Sequence, residues 1–304
     1  MEIITNCLGT FVIKDSKVID KKLFKLSQEY NNKKLIIQQQ KQLQKEYPKA
    51  VITNKYIFPQ QRELLQNMRD YNLQNAKQEC KNAIKKEHLI IQAQNAINDI
   101  EKSINILAKQ IQDWYCLYWP ELKNDEIHDF INVILTKEKK QKDSMGADLS
   151  KEDQKPIKEL AQLIQTLFKE KERLELYIEN STQDCCSNLA AVATSNIAAE
   201  LLACAGSLQR LAYLPSSTIQ LLGAEKALFR HLKKHSRCPK HGVIMKHPLI
   251  SKARRSDHGK IARTLAGAIS KASKVDYFKG DNYQGHIMIE ELEKKLKKKI
   301  KTIK

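Results

Sequence analysis

The sequence predicts a mainly α-helical protein with a small N-terminal α/β module, a long antiparallel coiled-coil helical hairpin and a C-terminal all-helical domain. Three observations lead to this fold class. Glycine and proline supply only 9 and 7 of the 304 residues, so helix breakers are few. Apolar residues in the middle of the chain recur every seven positions. Nearer the C-terminus, two stretches place apolar and basic residues on opposite arcs at helical spacing.

The α/β module is predicted within residues 1–80. Alternating apolar and polar residues predict strands at residues 2–6, 10–14 and 50–53, and the stretch 21–47 between them predicts a helix. A module of this size buries little apolar surface by itself. We therefore expect it to dock on a partner or on the helices that follow it.

The coiled-coil hairpin is predicted over residues 81–185. A second heptad series, at residues 157–178, follows the first and is interrupted by Lys171 at one core position. The SKED sequence at residues 150–153 provides a capping-box-like start for that second helix. The first helix carries two interleaved heptad series: Ile90, Ile97, Ile104, Ile111 and Tyr118, and Ala93, Ile100, Leu107 and Trp114.

A hairpin of this length exposes an apolar seam unless something covers it. We expect a second copy of the chain to cover it, so that the protein is a homodimer through Ile97, Ile104, Leu107 and Ile111. The alternative is a seam that closes within one chain. Heptads specify that helices pair, but they do not specify which chain supplies the partner helix.

The C-terminal helical domain is predicted at residues 186–280, and a Lys-rich tail that is helical or disordered at 281–304. Within the domain, residues 224–234 and the stretch from residue 260 onward read as two helices with cationic faces. If their apolar faces pack together, both cationic faces remain in solvent, where a phosphate backbone can bind. This arrangement favours an RNA-binding surface over an active site.

The charge of the chain is concentrated near its C-terminus. Residues 221–304 hold 22 Lys or Arg and 7 Asp or Glu, a net charge of +15, whereas residues 1–220 hold 31 and 28, a net charge of +3. This asymmetry predicts a polyanionic partner for the C-terminal part. The alternative is a merely solvating surface with a flexible lysine tail.

Signatures of other function classes are missing from the sequence. We find no nucleotide-binding glycine loop and no protease, hydrolase or kinase motif. No apolar run is long enough to span a membrane, and no signal peptide is evident at the N-terminus. The seven cysteines are scattered without a CxxC pair, which favours reduced thiols over a disulfide framework.

One cluster has the composition of a metal site. His231, His235, Cys238 and His241 lie at spacings of 4, 3 and 3 residues and could reach one zinc ion. Their neighbours are lysines and arginines, whose positive charge disfavours binding of a dication. We therefore expect no metal here, and zinc binding remains the alternative.

Several short motifs follow one another in one order along the chain. The C-terminal ones are GAEKALFRHL at 223–232, PKHG at 239–242, HP at 247–248 and GKIAR at 259–263. The upstream ones are IN at 104–105, WY at 114–115, PEL at 120–122, SMGADLS at 144–150, AGSL at 205–208 and LPSSTIQ at 214–220. Together they closely resemble the motifs of the Nop domain family, and the resemblance covers roughly residues 88–280.

The resemblance implies a non-catalytic scaffold of an archaeal box C/D guide ribonucleoprotein. Proteins of this family bind a kink-turn guide RNA that is already capped by a small ribosomal-protein-like partner, and they self-associate through the coiled coil. Their N-terminal domain, here residues 1–80, holds the methyltransferase fibrillarin, and the complex 2′-O-methylates RNA, as in rRNA processing. S-adenosylmethionine would belong to fibrillarin, so no cofactor is expected on this chain. An archaeal chain would be cytoplasmic, and only a eukaryotic one nucleolar.

The resemblance also places the RNA contacts. We expect His247 or His241 to stack on an exposed base, and the cations to position phosphates. Glu225 could contact the partner protein, orient Arg230 or favour the helix N-terminus. The predicted RNA-binding residues are Lys226, Arg230, Lys233, Lys240, His241, Lys246, His247, Arg254, Arg255, Lys260 and Arg263.

Two rival functions remain open at the level of sequence. The closer one is the splicing-factor branch of the same domain family, which binds a related kink-turn particle without recruiting a methyltransferase. The other is a zinc-dependent RNA-modifying enzyme built on the His/Cys cluster.

Overall fold

The computed structural model describes residues 1–6, 8–15, 17–24, 32–53, 62–122, 126–136, 144–279 and 282–301. The chain forms two compact units, Met1–Lys85 and Lys86–Lys304. The first contains β1 (Glu2–Asn6), β2 (Gly9–Lys14), β3 (Lys17–Leu23), α1 (Lys33–Glu46), β4 (Val51–Ile52) and α2 (Arg62–Ala83). The second contains α3 (Lys86–Tyr115), α4 (Ile127–Thr136), α5 (Lys151–Cys185), α6 (Ser187–Ala193), α7 (Ser195–Ala205), α8 (Leu208–Tyr213), α9 (Ser216–Leu221), α10 (Glu225–Lys234), a 3-10 turn (Val243–Lys246), α11 (Pro248–Ser251), α12 (His258–Lys279) and α13 (Gly285–Lys301).

The first unit is built on a four-stranded sheet in the order β3-β2-β1-β4. β1 and β2 pair antiparallel with Ile3 opposite Val12, and both side chains pack against Leu43 of α1. The next pair in register, Ile4 and Phe11, belongs to a separate buried cluster because successive strand residues point to opposite faces. The predicted α/β character of this region is therefore confirmed.

One element of the first unit differs from the sequence prediction. The helix expected over residues 21–47 is shorter, because Lys17–Leu23 forms strand β3 and α1 begins only at Lys33, capped by the Asn32 side chain. Antiparallel pairing with β2, through a turn at Asp15 with a positive φ of 51°, places these residues in the sheet. Local periodicity does not report this pairing, since it depends on a neighbouring strand.

The coiled-coil prediction is confirmed in the second unit. α3 packs along α5, and the heptad isoleucines Ile90, Ile97, Ile104 and Ile111 are all buried. The second heptad series contributes Ile157, Ile164 and Ile178 to the same seam. Ser150 caps α5 as expected, because its hydroxyl accepts a hydrogen bond from the Asp153 N–H.

The lysine that interrupts the second heptad series is accommodated by two carboxylates. Lys171 Nζ lies 2.7 Å from Glu101 Oε1 on α3 and 3.7 Å from Glu175 Oε1 on its own helix. The hydrogen bond to Glu101 is the main reason that the pKa of Lys171 is raised above its ordinary value. An ion pair across the seam thus replaces an apolar contact and fixes the register of the two helices.

The centre of the helical domain is α12, which packs against α6, α8, α9 and α13. Small residues on its buried face, including Ala262, Ala266 and Ala272, are fully covered and allow close approach of the neighbouring helices. α6 and α7 meet at a 111° bend at Thr194. Among the described residues, no single helix is both long and apolar enough to cross a membrane; this bent pair fits only jointly, by length and composition.

The helical domain continues beyond its predicted boundary at residue 280. The stretch 281–304, expected to be a tail, contains helix α13 over Gly285–Lys301. Leu292 and Leu296 of this helix are buried in the same apolar cluster as α12. The lysines between them face outward, so a lysine-rich composition conceals an amphipathic helix.

A buried carboxylate connects three segments of this domain. Asp276 Oδ1 accepts hydrogen bonds from the N–H and the side-chain amide of Asn188, and Oδ2 accepts one from the Leu189 N–H. The Asn188 side chain also donates to the Asn282 carbonyl and accepts from the Gln284 N–H. Asp276 therefore holds the start of α6 and, through Asn188, the chain that leads into α13.

Substitution of Asp276 by Asn is expected to lower the free energy of unfolding by about 1–3 kcal/mol, because an amide group then faces backbone donors. Burial raises the pKa of Asp276, so the folded state binds this proton more tightly than the unfolded state does. The stability that this proton binding contributes is therefore lost as pH rises through the raised pKa. The difference between wild type and variant should therefore be largest at acidic pH. Urea denaturation at several pH values measures it.

The matched control is Asp184→Asn, because Asp184 is exposed and its ion pair with Lys86 is on the surface. We expect little change in stability for this control. A difference between Asp276→Asn and wild type that grows with pH would contradict the pKa shift, and the absence of any difference would contradict the role of the network.

Candidate nucleic-acid interface

Backbone hydrogen bonds tie the loop before the 3-10 turn to the end of α9. The Gly242 N–H donates to the Gln220 carbonyl at 2.9 Å, and the Val243 N–H donates to the Leu222 carbonyl at 2.8 Å. The Gln220 side chain donates back to the Lys240 carbonyl at 2.6 Å. The loop that carries Lys240 and His241 is therefore fixed beside the residues that lead into α10.

Glycine is needed at this contact. A Cβ built on Gly242 would lie 1.8 Å from the Leu222 carbonyl oxygen, a backbone atom that cannot move aside by a rotamer change. Gly223, at the start of the α10 segment, has a φ of +82° and its added Cβ would meet the Val243 side chain at 2.5 Å. Both glycines allow the two segments to approach each other closely.

α10 carries the first group of predicted RNA-binding cations. Lys226, Arg230 and Lys233 are exposed, and none of them forms an ion pair with another described residue. The expected packing of α10 against the helix that starts near residue 260 is not observed. No residue of α10 is buried, and Phe229 and Leu232 are 61% and 64% exposed.

The different packing has a simple cause. The apolar face of α12 is already covered by α6, α8, α9 and α13, which leaves no apolar surface there for α10. α10 is thus an amphipathic helix whose cations and apolar side chains are both open to a partner.

Glu225 serves the helix terminus. Its Oε1 accepts a hydrogen bond from the Gly223 N–H at 2.7 Å, which satisfies a backbone donor that precedes α10. Of the three roles considered for Glu225, this contact favours the one at the helix N-terminus, and the described contacts of Arg230 do not include it.

The second group of cations lies around the start of α12. The position of an added Cβ on Gly259 is 3.8 Å from Lys240 Cδ, so the loop lysine lies against the first turn of α12. His241 stands 5.8 Å from the ring of buried His258, and burial lowers the pKa of His241, so that it favours the neutral form. Lys260 is exposed and lies 3.9 Å from Asp257.

Two residues of the predicted set are engaged within the protein. Lys246 forms an ion pair with Glu200 of α7. His247 is only 7% exposed, and its Nδ1 accepts the Leu249 N–H at 3.2 Å, which caps α11. Burial lowers the pKa of His247. Base stacking by His247, one of the two options expected from sequence, does not fit this position, since the ring is covered by the domain.

The remaining predicted cations, Arg254, Arg255 and Arg263, are exposed. Arg254 and Arg255 follow α11, and Arg263 lies in the first turns of α12. Within the described ranges, none of the three forms an ion pair with a carboxylate, so their guanidinium groups are available to phosphate oxygens. The structure thus leaves most of the predicted cations solvent-accessible, on α10, in the loop held by Gln220, after α11 and at the start of α12.

The His/Cys cluster does not converge on a point. Among the described residues, no three His, Cys, Asp or Glu side chains are placed to hold one metal ion. His231 instead hydrogen-bonds through Nδ1 to the Ser236 carbonyl, and Cys238 lies on the surface of the loop.

Sequence reasoning missed the residues that position this surface. Gln220 and Gly242 fix the loop beside the end of α9, and Asp276 ties α12 to the start of α6. The motifs at residues 214–220 and 239–242 are evident in the sequence, but the contact between Gln220 and Lys240, 20 residues apart, has no periodic signature.

A set of exposed cations on one helical domain is typical of proteins that bind nucleic acids. Comparison with known proteins agrees with this class. The family model described as "Nop: snoRNA binding domain, fibrillarin" matches residues 96–143 and 126–298. The chain therefore belongs to the Nop family.

Individual relatives support the same assignment. An uncharacterised NOP5 family protein of Methanocaldococcus jannaschii is 34% identical over 247 residues, which cover 73% of this chain and 58% of that protein. Nucleolar protein 56 of Caenorhabditis elegans is 31% identical over 224 residues, covering 63% of this chain and 46% of that protein. The chain thus spans about half the length of the curated relatives it matches.

Among solved structures, the chain is similar to one from a crystal structure of a fibrillarin/Nop5p complex. The similarity covers 92% of this chain and 96% of that chain, at 22% sequence identity and a TM-score of 0.49.

Substitution of Gly242 by Ala is expected to displace the loop from Leu222, because the added methyl group overlaps the Leu222 carbonyl. We expect a loss of about 1–3 kcal/mol in the free energy of unfolding. The matched control is Gly267→Ala on α12, where an added Cβ meets nothing within 4 Å and alanine favours the helix. Thermal unfolding of both variants tests this, and equal stability of the two would contradict the close contact.

Proposed function

We propose that this chain is a non-catalytic scaffold of a box C/D guide ribonucleoprotein. In this role it binds a guide RNA with a kink turn, together with the small protein that caps the kink turn, and it recruits fibrillarin for RNA 2′-O-methylation. Membership of the Nop family supports this proposal, because the family description includes snoRNA binding and fibrillarin. The observation that carries it is the exposed set of cations on α10, the 240–242 loop and α12.

The RNA would lie across these three segments. Lys226, Arg230 and Lys233 would contact phosphates from α10, and Lys240 and Lys260 from the loop and the start of α12. His241 is the remaining candidate for stacking on a base, because it is partly exposed and favours its neutral form.

The exposed apolar side chains of α10 favour a composite partner. Phe229 and Leu232 lie on the same short helix as the phosphate-binding cations. RNA without a bound protein buries little of such apolar surface, whereas a protein bound to the kink turn can bury it. This supports recognition of a surface formed jointly by the RNA and its kink-turn-binding protein.

Fibrillarin and its cofactor would belong to the other end of the chain. We propose that the α/β unit Met1–Lys85 docks the methyltransferase, and that S-adenosylmethionine is held by that partner and not by this chain. We propose a cytoplasmic location for an archaeal chain, whereas a eukaryotic chain would be nucleolar like the nucleolar protein 56 that it resembles.

An electrophoretic mobility shift with a kink-turn RNA tests the whole proposal. The full chain is added with and without the small kink-turn-binding protein, and fibrillarin is added last. We expect binding that requires the small protein and a further shift with fibrillarin. Binding without a fibrillarin shift would instead support the splicing-type alternative. Stoichiometric zinc in the purified protein, together with RNA modification by the chain alone, would support the zinc-enzyme alternative.

Alanine substitution of both Arg230 and Lys233 should weaken RNA assembly. Each lost phosphate contact removes one set of released counterions, so the slope of log K against log salt should fall by about 2 in magnitude. Lys109→Ala, together with Lys102→Ala on the exposed surface of α3, is the charge-matched control. An unchanged salt slope in the α10 variant would place the RNA elsewhere.

We propose that the homodimer predicted through the coiled coil forms on the exposed surface of the hairpin. The seam predicted to pair two copies instead closes within one chain. Ile97, Ile104 and Ile111 are buried there, and Leu107 is partly buried. Ile106 is 63% exposed on the same helix and remains available to a second copy.

Substitution of Ile106 by Asp is expected to halve the mass measured by light scattering while preserving the fold, because the side chain is exposed. Ile104→Asp would instead introduce a charge into the hairpin core and destabilise it. Lys109→Asp, also on exposed α3 surface, controls for added charge. A dimer that persists in Ile106→Asp would exclude this surface.

A further inference from the structure

The cationic surface of α12 extends well beyond the predicted RNA contacts. Lys260, Arg263, Lys271 and Lys274 are exposed and share one arc of about 80° on the helix with Gly267 and Phe278. At 1.5 Å per residue, this arc runs for about 27 Å from Lys260 to Phe278. Only the first two of these cations belong to the predicted RNA-binding set. This row of exposed side chains from Lys260 to Phe278, the α12 track, therefore extends past the predicted RNA-binding residues.

A cluster of three aromatic rings ends this track. Tyr213, the last residue of α8, lies 5.8 Å from Phe278 and 6.1 Å from Tyr277, measured between ring centroids, and the two α12 rings are 4.9 Å apart. The rings meet edge to face, at interplanar angles of 61–87°. Tyr213 is 66% exposed and Phe278 59%, so both remain open to a ligand.

The charge around these rings is positive. Arg210 precedes Tyr213 by three residues on α8, and Lys274 precedes Phe278 by four on α12, so each ring has an exposed cation one turn away. The nearest carboxylate in sequence, Asp276, is buried and turned toward α6. Aromatic rings beside cations suit a ligand that has flat bases and phosphates.

A groove between α12 and α13 lies along the middle of the track. It has a volume of about 220 Å³ and is lined by Arg263, Lys271 and Lys295, with Gly267 on its floor. An added Cβ on Gly267 would meet nothing within 4 Å, so this part of the groove is open. Glu291 pairs with Lys271 at 3.6 Å and partly neutralises it, while Arg263 keeps its charge free among the described residues.

We propose that this face of α12 binds single-stranded RNA and that Tyr213 and Phe278 form a platform on which an unpaired base stacks. The cations of the track would contact consecutive phosphates between the start of α12 and the platform. A stacked base suits this site better than the protein contact proposed for α10, because three adjoining rings present flat aromatic surfaces here, whereas the exposed α10 pair includes the aliphatic Leu232. The inference goes beyond the proposed function, since the RNA contacts proposed there lie on α10, the 240–242 loop and the start of α12 and do not include Tyr213 or Phe278.

Fluorescence anisotropy of the full chain with a labelled oligouridylate of about 12 nucleotides tests the proposal. Replacing Tyr213 and Phe278 together by leucine preserves apolar contact with Tyr277 and removes the flat rings. We expect the Kd to rise at least about tenfold, because base–aromatic stacking is lost, with little change in the salt slope. Alanine at Lys271 and Lys274 should instead lower the slope by about 1.4, at about 0.7 per phosphate on a single strand.

Two controls separate stacking from other effects. Tyr177→Leu removes an exposed aromatic ring from α5 and should leave the Kd unchanged. A duplex RNA of the same length has no unpaired base, so its affinity should be the same for wild type and the double leucine variant.

An unchanged Kd for the oligouridylate in the double leucine variant, in a protein with wild-type thermal unfolding, would overturn the proposal. An equal loss on duplex RNA would overturn it as well. Failure here and failure of the proposed function are distinguishable, because the double leucine variant should still give the kink-turn and fibrillarin mobility shifts.

Discussion

The helical domain depends on one buried carboxylate. Asp276 lies near the end of α12, and its three accepted hydrogen bonds satisfy the start of α6 and fix Asn188, which in turn holds the chain into α13. An ionised group that is buried without such partners would cost several kcal/mol, so the arrangement is favourable only when all the segments are in place. α12 is thereby tied to the start of α6, and the rings of Tyr277 and Phe278 follow this carboxylate directly on the same helix.

In the second unit, the apolar residues of the hairpin are covered within the chain, whereas many cations of the helical domain are available to a partner. The heptad isoleucines of α3 and α5 are buried between the two helices of the hairpin. Lys171, which interrupts the heptad series, forms an ion pair with Glu101 of the same chain. The cations of α10 and the arginines after α11, in contrast, have no carboxylate partner among the described residues. A rigid hairpin and an unneutralised basic surface suit a protein that holds other components at fixed positions.

Hydrogen bonds between the 240–243 loop and the end of α9 hold the start of α10, although α10 itself packs against no other helix closely enough to bury a residue. α10 buries none of its own residues, but Gln220, Gly242 and Val243 fix the segment immediately before it by hydrogen bonds and by the absence of a Cβ. Phe229 and Leu232 are therefore exposed on a helix whose start is held in place. Two different apolar surfaces result, the α10 face and the Tyr213–Phe278 platform. Both are bordered by cations, and the adjoining aromatic rings of the platform are what favour a stacked base.

Features that depend on nearby residues could be read from the chain alone. The seven-residue repeat led to the α3–α5 hairpin, the cap at Ser150 to the start of α5, and the excess of lysine and arginine after residue 220 to a basic surface, because each is a property of periodicity or composition. Contacts between distant segments decided the rest. β3 forms by pairing with β2, α13 joins the core through Leu292 and Leu296, and His247 is covered while α10 is not. Burial and strand pairing are set by which surfaces are already occupied in the folded domain, and no local pattern records that.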